Sequence, residues 1–595
     1  MKQPAPSPTK RRVLWRNAVL VLALTALAAG GVTFWQRQAR LTRMRMGLPA
    51  VPAEAPNQTL RDLLVQAQVK AGATGDPVDI AALGRLCHAN DFPREAEACW
   101  QLLVREQPHE ARWHYYLADL HRTTGNYAAA EAELELTVAA DPGAAMAWLQ
   151  LAEMKFKSGR QAAAEQDYRR RLELLPGDPY AGLGLARIAQ SQGRVEETIQ
   201  RLEAILKLHP KFSAAQNLYA ELQAAAGRDD LADLHRWLGR EAGRFREADD
   251  PWMDEVNAQC HESKRLCHLG TIAYQTGRGD LGRGQFEHAI AVAPADPLGY
   301  QLLGELLLQS GSAEAARDIL ARGLAAARDI APTPVHSLKL SEACRALGRT
   351  AEARQALQDG LARHPGSAEL QHAWGNLLAA EGRTAEAIAT YRRAIELNPS
   401  FVDADFALAV TLLPLGRREE AVQALQHARQ AQPTYPKALL LLARLEMDAG
   451  RFDAAGQYLQ PLLKANPGAP EIRQIVARWH WQAGQAVEKA NSDAAERHYR
   501  DGLALQPEHA GLNLSLGILL LVADRTSEAV PTLETSRRLQ PDNPEPAFYL
   551  GQAYARTDRP GDARRVLNEG LQQAERAGQA AAARNFREIL SALPR

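Results

Sequence analysis

Two short stretches hold residue types that could do chemistry. The first is His109-Glu110-Ala111-Arg112-Trp113-His114. A zinc-dependent hydrolase helix needs H-E-x-x-H, with both histidines on one face and the glutamate as general base. Here the histidines are five apart and the phase of the surrounding pattern puts a turn between them, so that chemistry is excluded. The second is the stretch 247–262 (EADDPWMDEVNAQCHE), which runs on to Cys267-His268. Asp249, Asp250, Asp254 and Glu255 flank Trp252, and Cys260-His261 and Cys267-His268 follow. Three readings stand: a structural or partner-contacting loop, closed by a Cys260–Cys267 disulfide in an oxidising compartment; a metal site of Cys, His and acidic residues, although C-x6-C is not a usual zinc spacing; or haem handling, although the C-x-x-C-H attachment motif is absent.

No phosphate loop, nucleophile elbow or dinucleotide fingerprint occurs. The glycines around Gly279, Gly282 and Gly284 do not follow a strand. Of the five cysteines, Cys87 and Cys99 lie on facing helices, but roughly 9 Å out of register at 1.5 Å per residue, which would strain a bridge. Cys344 reads as a small core residue. No catalytic residue, resident metal or cofactor is expected, and the chain is not expected to be an enzyme, because no segment outside the repeats described next exceeds a few dozen residues.

The elements that must position these residues announce themselves by period. Pro108, Pro142, Pro176 and Pro210 are 34 apart, as are Pro365, Pro399, Pro433 and Pro467. A glycine precedes seven of these eight by 17: Gly125, Gly159 and Gly193, then Gly348, Gly382, Gly416 and Gly450. Two punctuators per 34 residues mean one helix hairpin copied many times. Residues 368–401 show Trp374, Gly375, Gly382, Ala387, Tyr391, Ala394 and Pro399, and residues 145–178 show Trp148, Leu151, Ala152, Gly159, Ala164, Tyr168 and Pro176. These resemble tetratricopeptide repeats. The resemblance implies an all-α, right-handed superhelical solenoid, here of about fourteen hairpins between 77 and 577. Gly or Ala at position 8 and Ala at position 20 let the paired helices approach closely. The glycine at 15 ends the first helix, and the proline at 32 stops the second.

The beat breaks in three places: the insertion 247–262, three residues at 331–333, and six near 486–491. The expected organisation is a basic tail (1–17), a transmembrane helix or signal anchor (18–36), a Pro/Ala-rich linker (37–57), repeat blocks at 58–246 and 263–577 around the insertion, and a capping helix (578–595).

The resemblance also implies a concave face lined by positions 2, 5, 9 and 12 of the first helix. That places Arg112, Tyr115, Asp119 and Arg122 in a groove, then Met146, Leu149, Glu153 and Phe156, then Tyr180, Leu183, Arg187 and Gln190. In the second block Phe406, Val410, Leu413, Lys437, Leu440, Arg444 and Met447 take these places. Apolar side chains there suit an extended or helical peptide. Asn376 is an isolated match to the clamp with which some family members grip a C-terminal carboxylate.

Lys and Arg total 70, as do Asp and Glu, giving zero net charge over 595 residues. Nine of the bases and no acid lie in residues 1–45, leaving 61 bases against 70 acids beyond them. Such a body does not suit nucleic acid. The basic end followed by the uncharged run Ala18 to Trp35 suits membrane insertion. Ala26-Leu27-Ala28 offers the alternative of a cleavage site, and Arg11-Arg12 loosely resembles a twin-arginine signal. Only 12 of the 70 bases are lysine, which with heavy alanine use points to a GC-rich bacterial genome. The expectation is a single-pass protein of a bacterial inner membrane with periplasmic repeats, serving as a scaffold for protein or peptide partners in assembly, export or maturation of an envelope complex. The alternatives are a metal- or haem-handling subunit centred on 247–268, and a substrate-recognition subunit of an enzyme complex.

Overall fold

The structure, a computed structural model, describes residues 35, 38–52, 55, 57–243, 245, 247–327 and 331–593. Regular structure among them is helical throughout. The expected membrane helix, 18–36, lies outside the described residues except for Trp35. Among the described residues no helix is long and apolar enough to cross a membrane. The chain divides into two compact units, Met1–Gln216 with Ala242–Ala353, and Asn217–Glu241 with Arg354–Arg595.

Fourteen helix hairpins occupy 77–576. Most first helices are 13 residues long and most second helices 14, as in Ala368–Ala380 and Thr384–Leu397. The turn between them is set by residue 15 of the repeat. Gly125, Gly159, Gly382 and Gly450 have φ of 83°, 79°, 75° and 70°, the left-handed region. Asp91, Asp524 and Asp558 take the same turn at φ of 68°, 58° and 56°. Aspartate is among the few residues besides glycine that enter this region at modest cost.

Packing inside a hairpin follows from three small positions. The alanines at position 20, from Ala96 to Ala563, are all 0% exposed. The glycines at position 8 are used differently from those at position 15. A Cβ on Gly375 would stand 2.5 Å from the Tyr391 ring, and one on Gly304 or Gly517 would stand 2.5 Å from Leu320 or Leu533. Each partner is the large residue at position 24 of the second helix. At Gly382, by contrast, a Cβ would meet nothing within 4 Å, so only its backbone angle requires glycine.

The ends are covered. Gln58–Thr74 packs on the first hairpin, and Ala580–Ala592 packs on Pro560–Arg576 with Phe586 buried. The expected linker, 37–57, is not all linker. Residues 38–46 are helical, Met44 is fully buried in the first hairpin's core, and Arg40 pairs with Glu106 at 2.9 Å. Met44 and Leu48 add apolar surface that the open face of a first repeat would otherwise leave wet.

Two glycine substitutions separate the two roles. Gly375→Ala should destabilise its hairpin by about 1–3 kcal/mol through overpacking, and Gly382→Ala by about 1 kcal/mol through the backbone alone. Hydrogen exchange of Ala368–Leu397 reads both, and a Gly375→Ala protein as protected as wild type would refute the steric account.

Candidate functional site

In the first unit several of the residues expected to line a groove are contacted by the chain's own segment. Phe245 and residues 247–262 leave the repeat pattern and run back along the first hairpins in reverse order. Phe245 sits 4.5 Å from Phe212 and 6.1 Å from Tyr180, ring to ring. Ala248 packs on the cluster that includes Met146, Phe156 and Tyr180. A short helix, Pro251–Asn257, follows, capped by Asp250 onto the Met253 N–H. It lies against helices Pro77–Ala89 and Ala111–Thr123. Trp252 meets Tyr115 edge to face at 5.1 Å. Tyr115 donates its hydroxyl to Asp250 at 2.5 Å and accepts from Gln150 Nε2 at 2.8 Å. Glu255 accepts from the Tyr116 hydroxyl at 3.3 Å and lies 3.8 Å from Arg85. Asn90 then grips the backbone twice, donating to the Gln259 carbonyl at 2.8 Å and accepting from the His261 N–H at 2.6 Å.

These contacts set the electrostatics. Burial, then the neighbouring Asp250, pushes the Tyr115 hydroxyl well above its ordinary range. Burial raises the Asp250 carboxyl, against the lowering effect of the Tyr115 hydrogen bond. Asp119 is buried, yet its carboxyl is held below the usual range, because burial is outweighed by His88 at 3.2 Å and by Arg122.

Each sequence-expected residue can now be placed. Tyr115 and Asp119 are buried beneath or beside the segment, so they are not open groove positions. Arg112 is half-buried, pairs with Glu110 at 2.9 Å and covers Trp113; Arg122 is exposed and tied to Asp119. Met146, Phe156, Tyr180, Arg187 and Gln190 are half-buried, Leu149 and Leu183 buried, and Glu153 accepts from the Tyr168 hydroxyl at 2.8 Å. His109 is exposed while His114 is buried, 2.6 Å from Glu133 and 3.1 Å from the Pro108 carbonyl. That hydrogen bond to Glu133 raises the His114 pKa despite burial, which marks a structural pair.

The disulfide and metal readings of the insertion meet a different arrangement. Cys260 and Cys267 are both buried free thiols, packed in one core cluster with Val256 and Leu266. Burial pushes Cys267 up to about 12, leaving little reactive thiolate. Asp254 and His268 are exposed. Among the described residues no three His, Cys, Asp or Glu side chains come together as metal ligands.

In the second unit some of the residues expected to line a groove are exposed and others half-buried. Lys437 Nζ lies 5.8 Å above the Phe406 ring, 5.9 Å above Tyr435 and 2.8 Å from Asp403. Arg444 and Val410 are exposed, and Leu413, Leu440 and Met447 half-buried. Asn376 accepts from the Tyr391 hydroxyl at 2.9 Å, an internal contact that accounts for its isolation. One cleft was not anticipated. Trp481, Gly511 and Leu514, from the first helices of two successive hairpins, line an opening of about 470 Å³. Its signal was present, since the 486–491 interruption adjoins Trp481.

Tetratricopeptide-repeat family models match residues 82–145, 122–179, 268–332, 372–436, 482–544 and 514–582, with related models at 155–222, 415–478 and 335–377. One of these models alone covers more than half the chain, and the chain belongs to the tetratricopeptide repeat family. No curated protein matches it in sequence. Similar solved structures include YrrB, described as a TPR protein with an unusual peptide-binding site (19% identity, 32% of this chain and 97% of that one, TM-score 0.26). PilF of Pseudomonas aeruginosa (18%, 36% and 97%, TM-score 0.30) and yeast Tom70 (15%, 75% and 96%, TM-score 0.26) are others. At such scores they speak neither to this chain's curvature nor to its ligands.

Tyr115→Phe should leave Asp250 and Gln150 without their shared partner. The expected loss is about 1–3 kcal/mol of protection at the 250–257 amides, with Thr384–Leu397 unchanged. Wild-type exchange in the variant would show that this contact does not hold the segment.

Proposed function

We propose that the protein is a scaffold whose concave repeat faces hold segments of partner proteins. The observation that carries this reading is the bound state of 245–262. A stretch of irregular chain with a short helix lies along a repeat face through aromatic contacts, carboxylate–hydroxyl bonds and backbone-gripping amides, the means by which helical grooves hold peptides. At the same positions of the second unit Lys437 and Arg444 are exposed, with Phe406 and Met447 half-buried beside them.

The scaffold is anchored by residues 18–36 in a bacterial inner membrane with its repeats in the periplasm, and it gathers components of an envelope complex during assembly, export or maturation. The basic run before the apolar stretch and the mildly acidic body support this placement. The packing of 38–48 on the first hairpin supports a short tether between anchor and repeats. The buried, separate thiols of the insertion do not favour metal or haem handling, and purified protein should contain neither in stoichiometric amount.

A photo-crosslinking residue at position 447 of the full chain should yield a discrete partner adduct in cells, and one at Arg393 on a second helix should not. Arg444→Glu should lower the adduct by roughly fivefold, the scale of one exposed charge at an interface. Equal labelling from both positions, or none from 447, would refute the groove reading.

A further inference from the structure

The interruption near 486–491 changes the geometry of one hairpin. Its first helix, Pro470–Val487, runs 18 residues where the neighbouring first helices run 13. The added length carries Gln485 onward to Glu488, beyond the point where other hairpins turn. Across from it stands Gly511, and a Cβ there would be 2.8 Å from the Trp481 indole. Glycine is therefore what admits the ring. Trp481 is fixed by donating to Ser515 Oγ at 3.1 Å and by the His509 ring at 5.5 Å. The cleft of about 470 Å³ over Trp481 and Leu514 adjoins a second of about 230 Å³ that reaches Glu488.

The lining has a definite charge. It includes Glu488, Glu508 and Glu545 and no lysine or arginine. Glu488 accepts the Tyr499 hydroxyl at 2.6 Å, and Glu508 pairs with the exposed Arg538 at 2.8 Å. Glu545 is exposed and forms no ion pair among the described residues. Gln506 adds an independent mark: its Oε1 is buried and accepts no hydrogen bond among the described residues. Buried acceptors are nearly always satisfied, and an unsatisfied one at a cleft is what a donor-bearing ligand would complete.

We infer that the Trp481 cleft is a subsite for an arginine side chain carried by a protein segment lying on the concave face of the C-terminal repeats. This rests on the scaffold reading and gives its partner a chemistry. A guanidinium offers a flat face to stack on indole and five donors spread around its edge. It can pair with a carboxylate through two donors at once, whereas an ammonium is a compact point charge. An acidic side chain would meet three carboxylates, and an apolar one would leave Gln506 unsatisfied.

The test uses the full-length chain in detergent and fluorescein-labelled 12-residue Ala/Ser peptides bearing one central arginine, lysine or citrulline. Citrulline keeps the shape and loses the charge. Anisotropy should show the arginine peptide binding at least about tenfold more tightly than citrulline, the scale of a charge-assisted hydrogen bond. Glu545→Gln should weaken the arginine peptide by about fivefold. Gln506→Met should weaken it similarly without lowering the melting temperature, because the native acceptor has no partner to lose. Equal binding of arginine and citrulline peptides, no binding of either, or wild-type affinity in both variants would overturn the inference. The scaffold reading fails separately: it falls if position 447 yields no adduct, whatever the peptides do, and it survives if the adduct forms while the peptides do not discriminate.

Discussion

Each hairpin rests on a close approach between its two helices, and the rest of the molecule depends on it. Position 8 carries glycine or alanine in every hairpin but that of Ser341, because the large side chain at position 24 lies where a bulkier residue would be, as Gly375 and Tyr391 or Gly84 and Trp100 show. The alanine at 20 has no exposed surface in any repeat where it occurs. Positions 2, 5, 9 and 12 of the first helices recur with the repeat, so the proposed recognition face follows from a packing rule rather than from a separately built site.

Repeat proteins are governed by contacts between neighbours in sequence. The segment 245–262 departs from that rule. Its side chains bond to residues 135 and 139 positions away, and its backbone to Asn90 at 169 and 171. Of its acidic residues, Asp250 meets the Tyr115 hydroxyl, and the exposed Glu255 meets the Tyr116 hydroxyl and Arg85. A carboxylate so placed is costly to desolvate, and Asp250 shows this in its raised pKa. The cost is tolerated because Trp252, Val256 and Cys260 bury apolar surface beside it.

Much of this was legible in the chain and some was not. The hairpins, their turn glycines and their small packing residues follow from the 34-residue period, because each is a local steric requirement repeated in sequence. Asp91, Asp524 and Asp558 show the limit of a glycine pattern: the turn needs a left-handed angle, and aspartate also supplies it. The groove positions of the second unit, Phe406 through Met447, could be named from family phase. Tyr115 and Asp119, expected in an open groove, are buried, since no periodicity reveals what covers a surface. The Trp481 cleft was overlooked for a related reason. Its pieces are one aromatic, one glycine and an interruption, and none forms a motif until two hairpins stack.

The sequence by itself determined the repeat, the helix lengths, the turns and which face each helix buries. These are set by side-chain volume and backbone angle within some 34 residues, so spacing encodes them. Only the tertiary structure decided which concave positions remain open, that the acidic stretch with Trp252 is an internal occupant rather than a free loop, and that Met44 belongs to the first hairpin's core. Those outcomes depend on contacts between residues far apart in the chain. Composition and spacing carry no record of such pairs, because any exposed apolar or charged row could be covered by any complementary segment.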